Sequence, residues 1–597
     1  MGKDYNNNGR KGCKDKDTQN DIKNTKQRFI FITGGVLSSL GKGLVAASTG
    51  CILKELGFSV NLKKMDPYLN VDPGTMNPMQ HGEVYVTEDG AETDLDLGNY
   101  ERFTDVKMTH NNITTSGKIY QKLIERERRG YYLGKTVQVI PHVTGLIKEF
   151  LSKDAEKYEF NIVEVGGTVG DIESEPFLEA IRQLATEVGR KNVMFLHLSY
   201  VPYLGQTDEI KTKPTQHSVK RLMQAGILAD VIMCRTKQKI SDKDKKKIAM
   251  FCNVDVENVL EAPDVDDIYT LPYIYAKQGL ARVILEHFNL MNKVEVQNIE
   301  DNKNIQRWNE YGEKRKTNKK EIVVCVAGKY TNSNDCYKSL FEAIEHAGFA
   351  NDVNIKLKWV DCRNINDTNV SNEINARCVN GKNCNSNDLA TDCIIVPGGF
   401  GIEGTEGKIS VIKYARENNI PMLGICLGMQ LAVIEFARNV CGLTDATSTE
   451  FNQLTTTPVV HLMKTWECVN GKIATRNKDT EIGGKMRLGG YISELKGKTL
   501  ASKIYHDNEI LERHRHRFEI NAKYIDIIEK HGGVFSAFAK VSGEQQGLRI
   551  PEMFEIPKNK FFISCQFHPE FISRPFKAHP LFRELIKTAV EIKYANQ

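Results

Sequence analysis

A cysteine in a glycine turn is the clearest candidate for chemistry in this chain. Segment 424–428 reads Gly-Ile-Cys-Leu-Gly and follows a short apolar segment, 421–423. This G-x-C-x-G pattern is the thiol version of the nucleophile elbow, in which small residues allow a sharp strand-to-helix turn that exposes the nucleophile. Cysteine suits amide cleavage, because a neighbouring imidazole can convert the thiol into a thiolate. Cys426 is therefore the candidate nucleophile.

The base and its orienting group must come from elsewhere in the chain. The segment Gln-Phe-His-Pro-Glu, which follows an apolar strand candidate, offers His568 as the base and Glu570 as its orienter. The backbone N–H groups of Gly399, in a glycine-rich turn, and of Leu427 could stabilise an oxyanion. A lone cysteine or histidine is more often structural. The elbow, the glycine turn and the His-x-Glu pair, in this order, favour catalysis.

A second group of residues could bind phosphate. Segment 33–43 reads Thr-Gly-Gly-Val-Leu-Ser-Ser-Leu-Gly-Lys-Gly and lies between a strand candidate and a helix candidate. Glycines let backbone N–H groups approach a phosphate, the helix N-terminus adds partial positive charge, and Lys42 adds a full one. The pattern departs from the common P-loop, since five residues separate Gly35 from Gly41 and Gly43 stands where Ser or Thr usually holds magnesium.

Without that hydroxyl, magnesium needs other ligands, and carboxylates suit it. Asp96 ends the acidic run 92–96, for which a solvated surface patch is an equal alternative. Glu164 lies near the end of a buried strand candidate, at the sheet edge where open α/β sheets bind ligands. A carboxylate there is costly to bury unless it is paired or coordinated. Asp96 and Glu164 are therefore candidate metal ligands.

Alternating strand and helix candidates must position these groups. The first half offers strands at 29–32, 161–165, 193–198 and 231–234, separated by helices such as 43–56 and 177–188. The second half offers strands at 322–326, 393–396, 422–425 and 561–565. Such alternation is typical of α/β domains with parallel sheets. We predict two three-layer α/β domains.

Composition divides the chain further. We predict a disordered tail at 1–27, a first domain at 28–297, a polar linker at 298–320 and a second domain at 321–597, with an Asn-rich surface insertion near 364–388.

Bulk charge and cysteine content exclude several classes. The net charge is +5, and three of those charges lie in residues 1–27. The folded part is therefore near neutral and lacks the excess of basic residues that indicates nucleic-acid binding. No stretch approaches the roughly 20 apolar residues that span a bilayer. The 14 cysteines are scattered and show no disulfide or zinc pattern, which indicates a reducing, cytoplasmic compartment.

Long motifs carry a family resemblance. The second half resembles the class I, triad-type glutamine amidotransferases, and the first half is similar to the P-loop synthetase (amidoligase) domain of the CTP synthase family. The resemblance runs from about residue 28 to near the C-terminus, outside the Asn-rich segments. The most specific stretches of the first half are 38–43, 66–76, 80–84, 166–174 and 211–216.

The resemblance implies an activity and its partners. ATP phosphorylates O4 of UTP, and ammonia released from glutamine then displaces the phosphate to give CTP, the last step of de novo CTP synthesis. Mg²⁺ is the implied cofactor, ATP the co-substrate, GTP the allosteric activator and CTP the feedback inhibitor. A homotetramer is implied, with UTP sites between subunits, and filament assembly is left open.

The resemblance also implies site residues. The implied ATP contacts are Ser38, Ser39, Leu40, Gly41, Lys42, Gly43, Lys64, Arg235 and Asp264. The implied UTP and CTP contacts are Ser38, Asp171, Ile172, Glu173, Lys211, Thr212, Lys213, Gln216 and Lys247. The implied glutamine contacts, besides the oxyanion donors, are Gln430, Glu450 and Arg517.

One position departs from the family pattern. The family usually places Arg two residues after Gly401, and this chain has Glu403. Because that loop is associated with GTP, a reversed charge predicts weaker or altered GTP activation.

Three rival interpretations remain. Another amidoligase, such as a cobyrinic acid amidase, is disfavoured by segments 171–173 and 211–216. A GMP synthetase is disfavoured because its Ser-Gly-Gly-x-Asp-Ser loop does not occur. A non-catalytic nucleotide-binding scaffold is disfavoured because the candidate catalytic and phosphate-binding residues are all intact: Cys426, His568, Glu570 and Lys42.

Overall fold

The computed structural model describes most of the chain. The described residues are 27–206, 209–293, 302–329, 334–375, 390–463, 465–469, 473–475, 486–541 and 549–595. The predicted N-terminal tail, except its last residue, lies outside them, as does part 376–388 of the predicted insertion.

The first domain, from Arg28 to His287, contains eleven strands and ten helices among the described residues. The strands are β1 (Arg28–Gly34), β2 (Val60–Asp66), β3 (Tyr85–Val86), β4 (Glu92–Thr93), β5 (Ile113–Thr115), β6 (Phe160–Val165), β7 (Val193–Tyr200), β8 (Tyr203–Leu204), β9 (Glu209–Ile210), β10 (Val231–Thr236) and β11 (Val259–Pro263). The helices are α1 (Lys42–Glu55), α2 (Pro78–His81), α3 (Leu95–Thr104), α4 (Ser116–Arg128), α5 (Thr144–Ser152), α6 (Glu175–Val188), α7 (Lys213–Gln224), α8 (Asp242–Cys252), α9 (Leu271–Lys277) and α10 (Leu280–His287).

Seven of these strands form one parallel sheet, in the order β11-β10-β7-β1-β6-β2-β5. Successive side chains of β1 enter different cores. Phe29 and Phe31 pack with one helical layer, and Ile30 and Ile32 pack with the other. Because strand side chains alternate between faces, this fully apolar strand needs helices on both sides of the sheet. The predicted three-layer α/β architecture is confirmed for this half.

A helix connects the two domains. Helix α11 (Lys303–Thr317) lies within the segment predicted as a linker. Its buried Ile305 and Trp308 join a hydrophobic core of the first domain. Arg315 donates to Asp267 of the first domain at 2.7 Å and also pairs with Glu345 of the second. The connection is therefore packed against both domains.

The second domain, from Glu321 to Tyr594, contains fourteen strands and seven helices among the described residues. The strands are β12 (Glu321–Gly328), β13 (Asn354–Asp361), β14 (Cys393–Val396), β15 (Met422–Ile425), β16 (Thr447–Ser448), β17 (Pro458–Leu462), β18 (Thr465–Glu467), β19 (Ile473–Thr475), β20 (Arg487–Leu495), β21 (Glu509–His516), β22 (Phe518–Ile520), β23 (Val534–Ala539), β24 (Pro551–Glu555) and β25 (Phe562–Cys565). The helices are α12 (Lys338–Ala350), α13 (Val370–Asn375), α14 (Thr405–Glu417), α15 (Leu427–Asn439), α16 (Leu500–Tyr505), α17 (Ile525–Lys530) and α18 (Pro580–Tyr594).

Nine of these strands form the second large sheet, in the order β13-β12-β14-β15-β25-β24-β23-β20-β21. The first five strands in this order, β13, β12, β14, β15 and β25, pair in parallel. The remaining pairs are antiparallel. Two hydrophobic cores cover its two faces. The α/β class is confirmed, and the antiparallel half is a feature that the strand-helix alternation did not indicate.

A hairpin of the first domain docks on the second. The turn between β3 and β4 approaches β20, where the N–H of Gly490 donates to the carbonyl of Glu88 at 2.7 Å. Gly489 has φ +96°, and a Cβ there would lie 2.7 Å from the same carbonyl oxygen. A backbone approach this close requires glycine. Among the described residues, no helix is both long and apolar enough to cross a bilayer.

Candidate active sites

The structure places Cys426 in a strained turn between β15 and α15. Its backbone has φ 52° and ψ −103°, a conformation that most residues avoid. A Cβ on Gly424 would lie 2.9 Å from the carbonyl of Gly428, and a Cβ on Gly428 would lie 2.1 Å from the carbonyl of Val396. Both glycines of the motif are therefore required by close backbone approach. The turn puts the thiol at the carboxyl end of the parallel strands.

The His568 imidazole lies next to Cys426, the predicted nucleophile. A Cβ on Gly398 would be 2.9 Å from His568 Cε1 and 3.4 Å from Cys426 Cβ. His568 Nδ1 is 2.7 Å from Glu570 Oε1. Its other ring nitrogen, Nε2, is buried and makes no hydrogen bond within the described part of the chain. The arrangement leaves Nε2 available for the thiol proton.

The electrostatic surroundings of His568 favour the charged form of its imidazole. Burial alone would lower the pKa of His568, but Glu570 and Cys426 outweigh it and raise that pKa to about 10. The imidazole is therefore protonated at neutral pH. This charge state suits a thiolate partner and a later proton transfer to a leaving amine.

Replacing Glu570 by glutamine is expected to shift the pH profile of glutamine hydrolysis. Because Glu570 raises the pKa of His568 in the folded protein, its loss lowers that pKa, and the alkaline limb of kcat/KM moves to lower pH. The same pairing stabilises the fold fully below the ordinary histidine pKa of about 6.5. That contribution is lost as pH rises through about 10.

The control is Glu512→Gln, since Glu512 also pairs with a buried histidine, His579, at 2.9 Å but is not part of the site. Its alkaline limb is expected to match that of the wild type. An unshifted limb in Glu570→Gln would show that this carboxylate does not control His568.

The predicted glutamine-binding residues surround the same turn. A Cβ on Gly399 would lie 3.6 Å from the Leu427 side chain. The N–H of Gly401 donates to Glu450 Oε1 at 2.8 Å. The Arg517 guanidinium lies 5.6 Å from the Phe400 ring centre.

Two further buried side chains donate hydrogen bonds to backbone carbonyls near Cys426. Gln430 donates to the carbonyl of Phe518 at 3.0 Å. Lys408, which the sequence interpretation missed, is buried and donates to the carbonyl of Pro397 at 2.9 Å. Burial lowers the pKa of Lys408 to about 8. Its contact fixes the glycine-rich turn, and nothing in the helical pattern around it signals this role.

A cavity of about 110 Å³ joins the cysteine to the first domain. Cys426 and His568 line it from the second domain, and Pro78, Glu83 and Val84 line it from the first. Burial raises the pKa of Glu83 to about 7. The sequence motif at 80–84 contained two of these residues, but only the structure shows that they face the cysteine.

The phosphate loop lies between β1 and α1. Val36, Ser39 and Gly41 all have positive φ, at 78°, 57° and 98°, so the backbone of the loop changes direction at three places. Within the described residues, no side chain caps the N-terminus of α1. Lys42 donates to the carbonyl of Gly167 at 2.7 Å, and burial lowers its pKa. The loop has the free helix terminus and the cation that a phosphate site needs.

Four carboxylates surround the ammonium group of Lys64. It contacts Asp94 and Asp96 directly and lies 3.7 Å from Asp66 and 4.0 Å from Glu164. Burial opposes the charge of Lys64, but the carboxylates prevail and raise its pKa. Burial also raises the pKa of Glu164 to about 7. The sequence analysis did not predict Asp66 and Asp94 as residues of this site, although Asp66 begins the segment 66–76 and Asp94 lies in the acidic run 92–96.

The approach of Asp96 explains the unusual Gly43. A Cβ on Gly43 would lie 2.0 Å from Asp96 Oδ1. The carboxylate thus takes the place beside the helix terminus where other phosphate loops carry a hydroxyl residue. Among the described residues, no three His, Cys, Asp or Glu side chains are arranged to hold a metal ion by themselves. A magnesium ion at Asp96 and Glu164 would therefore also need phosphate and water oxygens, which is its usual preference.

Replacing Gly43 by alanine is expected to disrupt the first site by displacing Asp96. A displacement of about 1 Å at a reacting site can cost about 100-fold in rate, and we expect a loss of that order in ammonium-dependent product formation. The control is Gly145→Ala in α5, where a Cβ meets nothing within 4 Å. Wild-type kinetics in Gly43→Ala would contradict this interpretation of the loop.

Arg235 and Asp264 lie beside the phosphate loop. Their side chains form an ion pair of 2.5 Å. A Cβ on Gly41 would lie 3.9 Å from Arg235 NH1. The structure thus brings these two sequence-predicted residues to the loop.

Most residues predicted to bind the pyrimidine nucleotide lie at the starts of α6 and α7, while Ser38 lies in the phosphate loop and Lys247 on α8. Thr168 donates its N–H to Asp171 at 3.2 Å, and Ile172 is 77% exposed. Gln216 donates to Thr212 at 3.0 Å, and both are buried. The other residues of this set are solvent-facing to different degrees: Ser38, Glu173, Lys211, Lys213 and Lys247. Lys211 also pairs with Glu209.

Comparisons with known proteins agree with this geometry. A family model described as CTP synthase N-terminus matches residues 28–290, and one described as glutamine amidotransferase class-I matches residues 333–588. The chain thus joins a CTP synthase N-terminal domain to a class-I glutamine amidotransferase domain.

Full-length relatives define the family. A CTP synthase of Hydrogenobaculum sp. is 48% identical over 565 residues, 95% of this chain and 98% of the relative. A CTP synthase of Methanocaldococcus jannaschii is 48% identical over 94% of this chain and 98% of the relative. The solved glutaminase domain of Trypanosoma brucei CTPS with bound acivicin is 34% identical, with 45% of this chain and 94% of that chain covered and a TM-score of 0.38. The chain belongs to the CTP synthase family, a family of ligases.

Proposed function

We propose that this protein aminates UTP to CTP at the expense of ATP, with ammonia from glutamine. The observation that carries the proposal is the shared cavity, because Cys426 and His568 face it together with residues of the phosphate-loop domain. At neutral pH, free ammonia is mostly protonated and not nucleophilic. A route between the domains would deliver it unprotonated to the first site.

Glutamine hydrolysis follows from the second site. The Cys426 thiolate attacks the carboxamide, and the N–H groups of Gly399 and Leu427 stabilise the oxyanion. His568 gives its proton to the departing ammonia and then activates the water that releases glutamate. Glu450 and Arg517 hold the amino-acid end of the substrate.

The first site activates UTP. Lys42, Lys64 and the loop N–H groups bind ATP phosphates, while Arg235 and Asp264 contact the adenine. Asp96 and Glu164 would hold Mg²⁺, which would neutralise phosphate charge during transfer. ATP phosphorylates O4 of UTP, ammonia adds at C4, and phosphate leaves from the 4-phosphoryl intermediate.

We assign the pyrimidine nucleotide to residues at the starts of α6 and α7, on α8 and in the phosphate loop. Lys211, Lys213 and Lys247 bind the triphosphate, assisted by Thr212 and Gln216. This combination of cations and side-chain donors suits a polyanion. Ser38, Asp171, Ile172 and Glu173 complete the site, where CTP also binds as an inhibitor. We propose a homotetramer, in which a neighbouring subunit completes this exposed site, and a cytoplasmic location.

The direct assay follows CTP formed from UTP and ATP, with either glutamine or ammonium as nitrogen source. CTP is expected from both. No CTP from either source, with glutamine still hydrolysed, would overturn the proposed synthetase reaction.

We propose GTP as an allosteric activator acting at the loop that contains Glu403. This carboxylate is 59% exposed and lies 3.7 Å from Arg363 NH1. It therefore places negative charge near a nucleotide anion, beside an arginine whose guanidinium is already bonded to Asp361 at 2.9 Å.

Weak GTP stimulation of glutamine hydrolysis is expected for the wild type, and Glu403→Ala is expected to keep or increase it. The measurement is the glutaminase rate with and without GTP. The control is Glu406→Ala, an acidic residue of α14 that pairs with Arg438 at 2.9 Å. Stimulation lost in Glu403→Ala would mean that this residue serves GTP, contrary to the proposal.

A further inference from the structure

We propose that Glu101, in the first domain, is a positioning residue for glutamine hydrolysis in the second. It holds Arg513, whose own backbone supports the catalytic histidine. The inference deepens the proposed function and rests on its assignment of Cys426 and His568.

Glu101 is a buried carboxylate that receives donors from both domains. Arg513 NH2 donates to its two oxygens at 3.0 and 2.9 Å, and Arg574 also donates to it. From its own domain it accepts from the Tyr85 hydroxyl at 2.6 Å and from the N–H of Met108 at 2.8 Å. Its side chain has no exposed surface. Burial opposes the charge, but the two arginines prevail and lower the pKa of Glu101.

Arg513 connects this carboxylate to the catalytic base. While its guanidinium contacts Glu101, its carbonyl accepts a hydrogen bond from the N–H of His568 at 2.8 Å. Two residues further along β21, the carbonyl of Arg515 lies 3.7 Å from Cys426 Sγ. The strand that Glu101 anchors thus contacts the backbone of His568 and the thiol of Cys426.

A second connection runs through Phe571. The Tyr85 hydroxyl lies 2.9 Å from the carbonyl of Phe571, and the Phe571 ring stacks on the His568 ring at 5.1 Å and 16°. Arg574 donates to the same carbonyl at 3.0 Å. Glu101 therefore organises groups on both sides of the His568 segment.

The location of Glu101 makes the effect specific. It lies on α3 with a fully buried side chain and is not among the residues that line the cavity at Cys426, so it touches neither glutamine nor the reacting atoms. Glu450 and Arg517, which we assign to glutamine binding, contact other groups. Loss of Glu101 should therefore reduce the turnover rate rather than the binding of glutamine.

The test is Glu101→Gln, which keeps the shape and removes the charge. Glutamate release is expected to show a kcat about 10- to 100-fold lower with KM for glutamine close to the wild-type value. CTP formation from ammonium is expected to stay near the wild-type rate. Glutamate release does not require CTP formation, so this readout remains valid even if the proposed synthetase reaction is wrong.

The matched control is Glu435→Gln on α15, a carboxylate with no exposed surface that pairs with Arg416 at 2.8 Å within the second domain. Its kcat is expected to remain well above that of Glu101→Gln. Equal kcat values in the two variants would overturn the proposal. So would an equal loss of ammonium-dependent and glutamine-dependent synthesis in Glu101→Gln, because that indicates general damage.

If Glu101→Gln does not fold, Tyr85→Phe tests the same connection. It removes only the hydroxyl that contacts both Glu101 and Phe571. A smaller decrease of glutaminase kcat, again without a change of KM, is expected. An unchanged kcat would overturn the role of this network.

Discussion

Replacing Cys426 by alanine is expected to abolish glutamine hydrolysis and glutamine-dependent CTP formation, while CTP formation from ammonium persists. Loss of a covalent nucleophile typically costs about 10⁴-fold or more in kcat. The first site keeps its phosphate loop and carboxylates, so externally supplied ammonia can still react there. Parallel assays with glutamine and with ammonium measure both effects.

The control for this variant is another buried cysteine. Cys393 lies on β14, the strand beside β15, and burial raises the pKa of its thiol well above the usual range. Cys393→Ala should retain glutamine-dependent synthesis, since this thiol is not ionised. If Cys426→Ala spared both reactions, the nucleophile would have to be another residue.

Replacing Lys42 by alanine is expected to remove CTP formation from both nitrogen sources, while glutamine hydrolysis continues. Lys42 supplies a full charge at the uncapped N-terminus of α1. Removal of one such electrostatic group typically costs about 100- to 1,000-fold in kcat. The measurements are CTP formation from ammonium and, separately, glutamate release.

Lys54, in the last turn of α1, provides the control. It contacts the carbonyl of Thr104 at the opposite end of the helix from the phosphate loop. Lys54→Met should retain CTP formation. A Lys42→Ala enzyme with wild-type CTP formation would contradict the assignment of the loop to ATP.

Local motifs made much of both sites predictable. The turn at Cys426 and the loop before Lys42 carry their backbone requirements in consecutive residues, so spacing alone indicates their shape. Gly428 is an example, because a Cβ there would lie 2.1 Å from Val396 O. The apolar sequence of β1 likewise predicted a sheet covered on both faces, and every residue of this strand after the first is buried.

Contacts between distant residues were not predictable in the same way. Glu101 and Arg513 are 412 positions apart, and no pattern near either one indicates its partner. The run Arg-His-Arg-His-Arg at 513–517 has the charge of a nucleic-acid patch but no interleaved aromatic residues. In the structure, Arg513 and Arg515 pair with Glu101 and Glu92 of the first domain.

The carboxylates around Lys64 show a similar limit. Asp66 ends β2 and Glu164 lies near the end of β6, which are neighbouring parallel strands. These two carboxylates lie close together because β2 and β6 are neighbours in the sheet. No local sequence pattern indicates the order of the strands in the sheet. The antiparallel half of the second sheet was not predictable for the same reason, because its pairing depends on contacts between strands that are distant in the sequence.

The central claim is that one chain transfers nitrogen from glutamine to UTP. The most direct measurement is mass spectrometry of CTP formed from amide-¹⁵N glutamine, ATP and UTP in the presence of excess unlabelled ammonium at neutral pH. Transfer through the protein gives CTP that contains ¹⁵N well above the isotopic fraction of the free ammonium pool. CTP that only matches the pool would contradict the account.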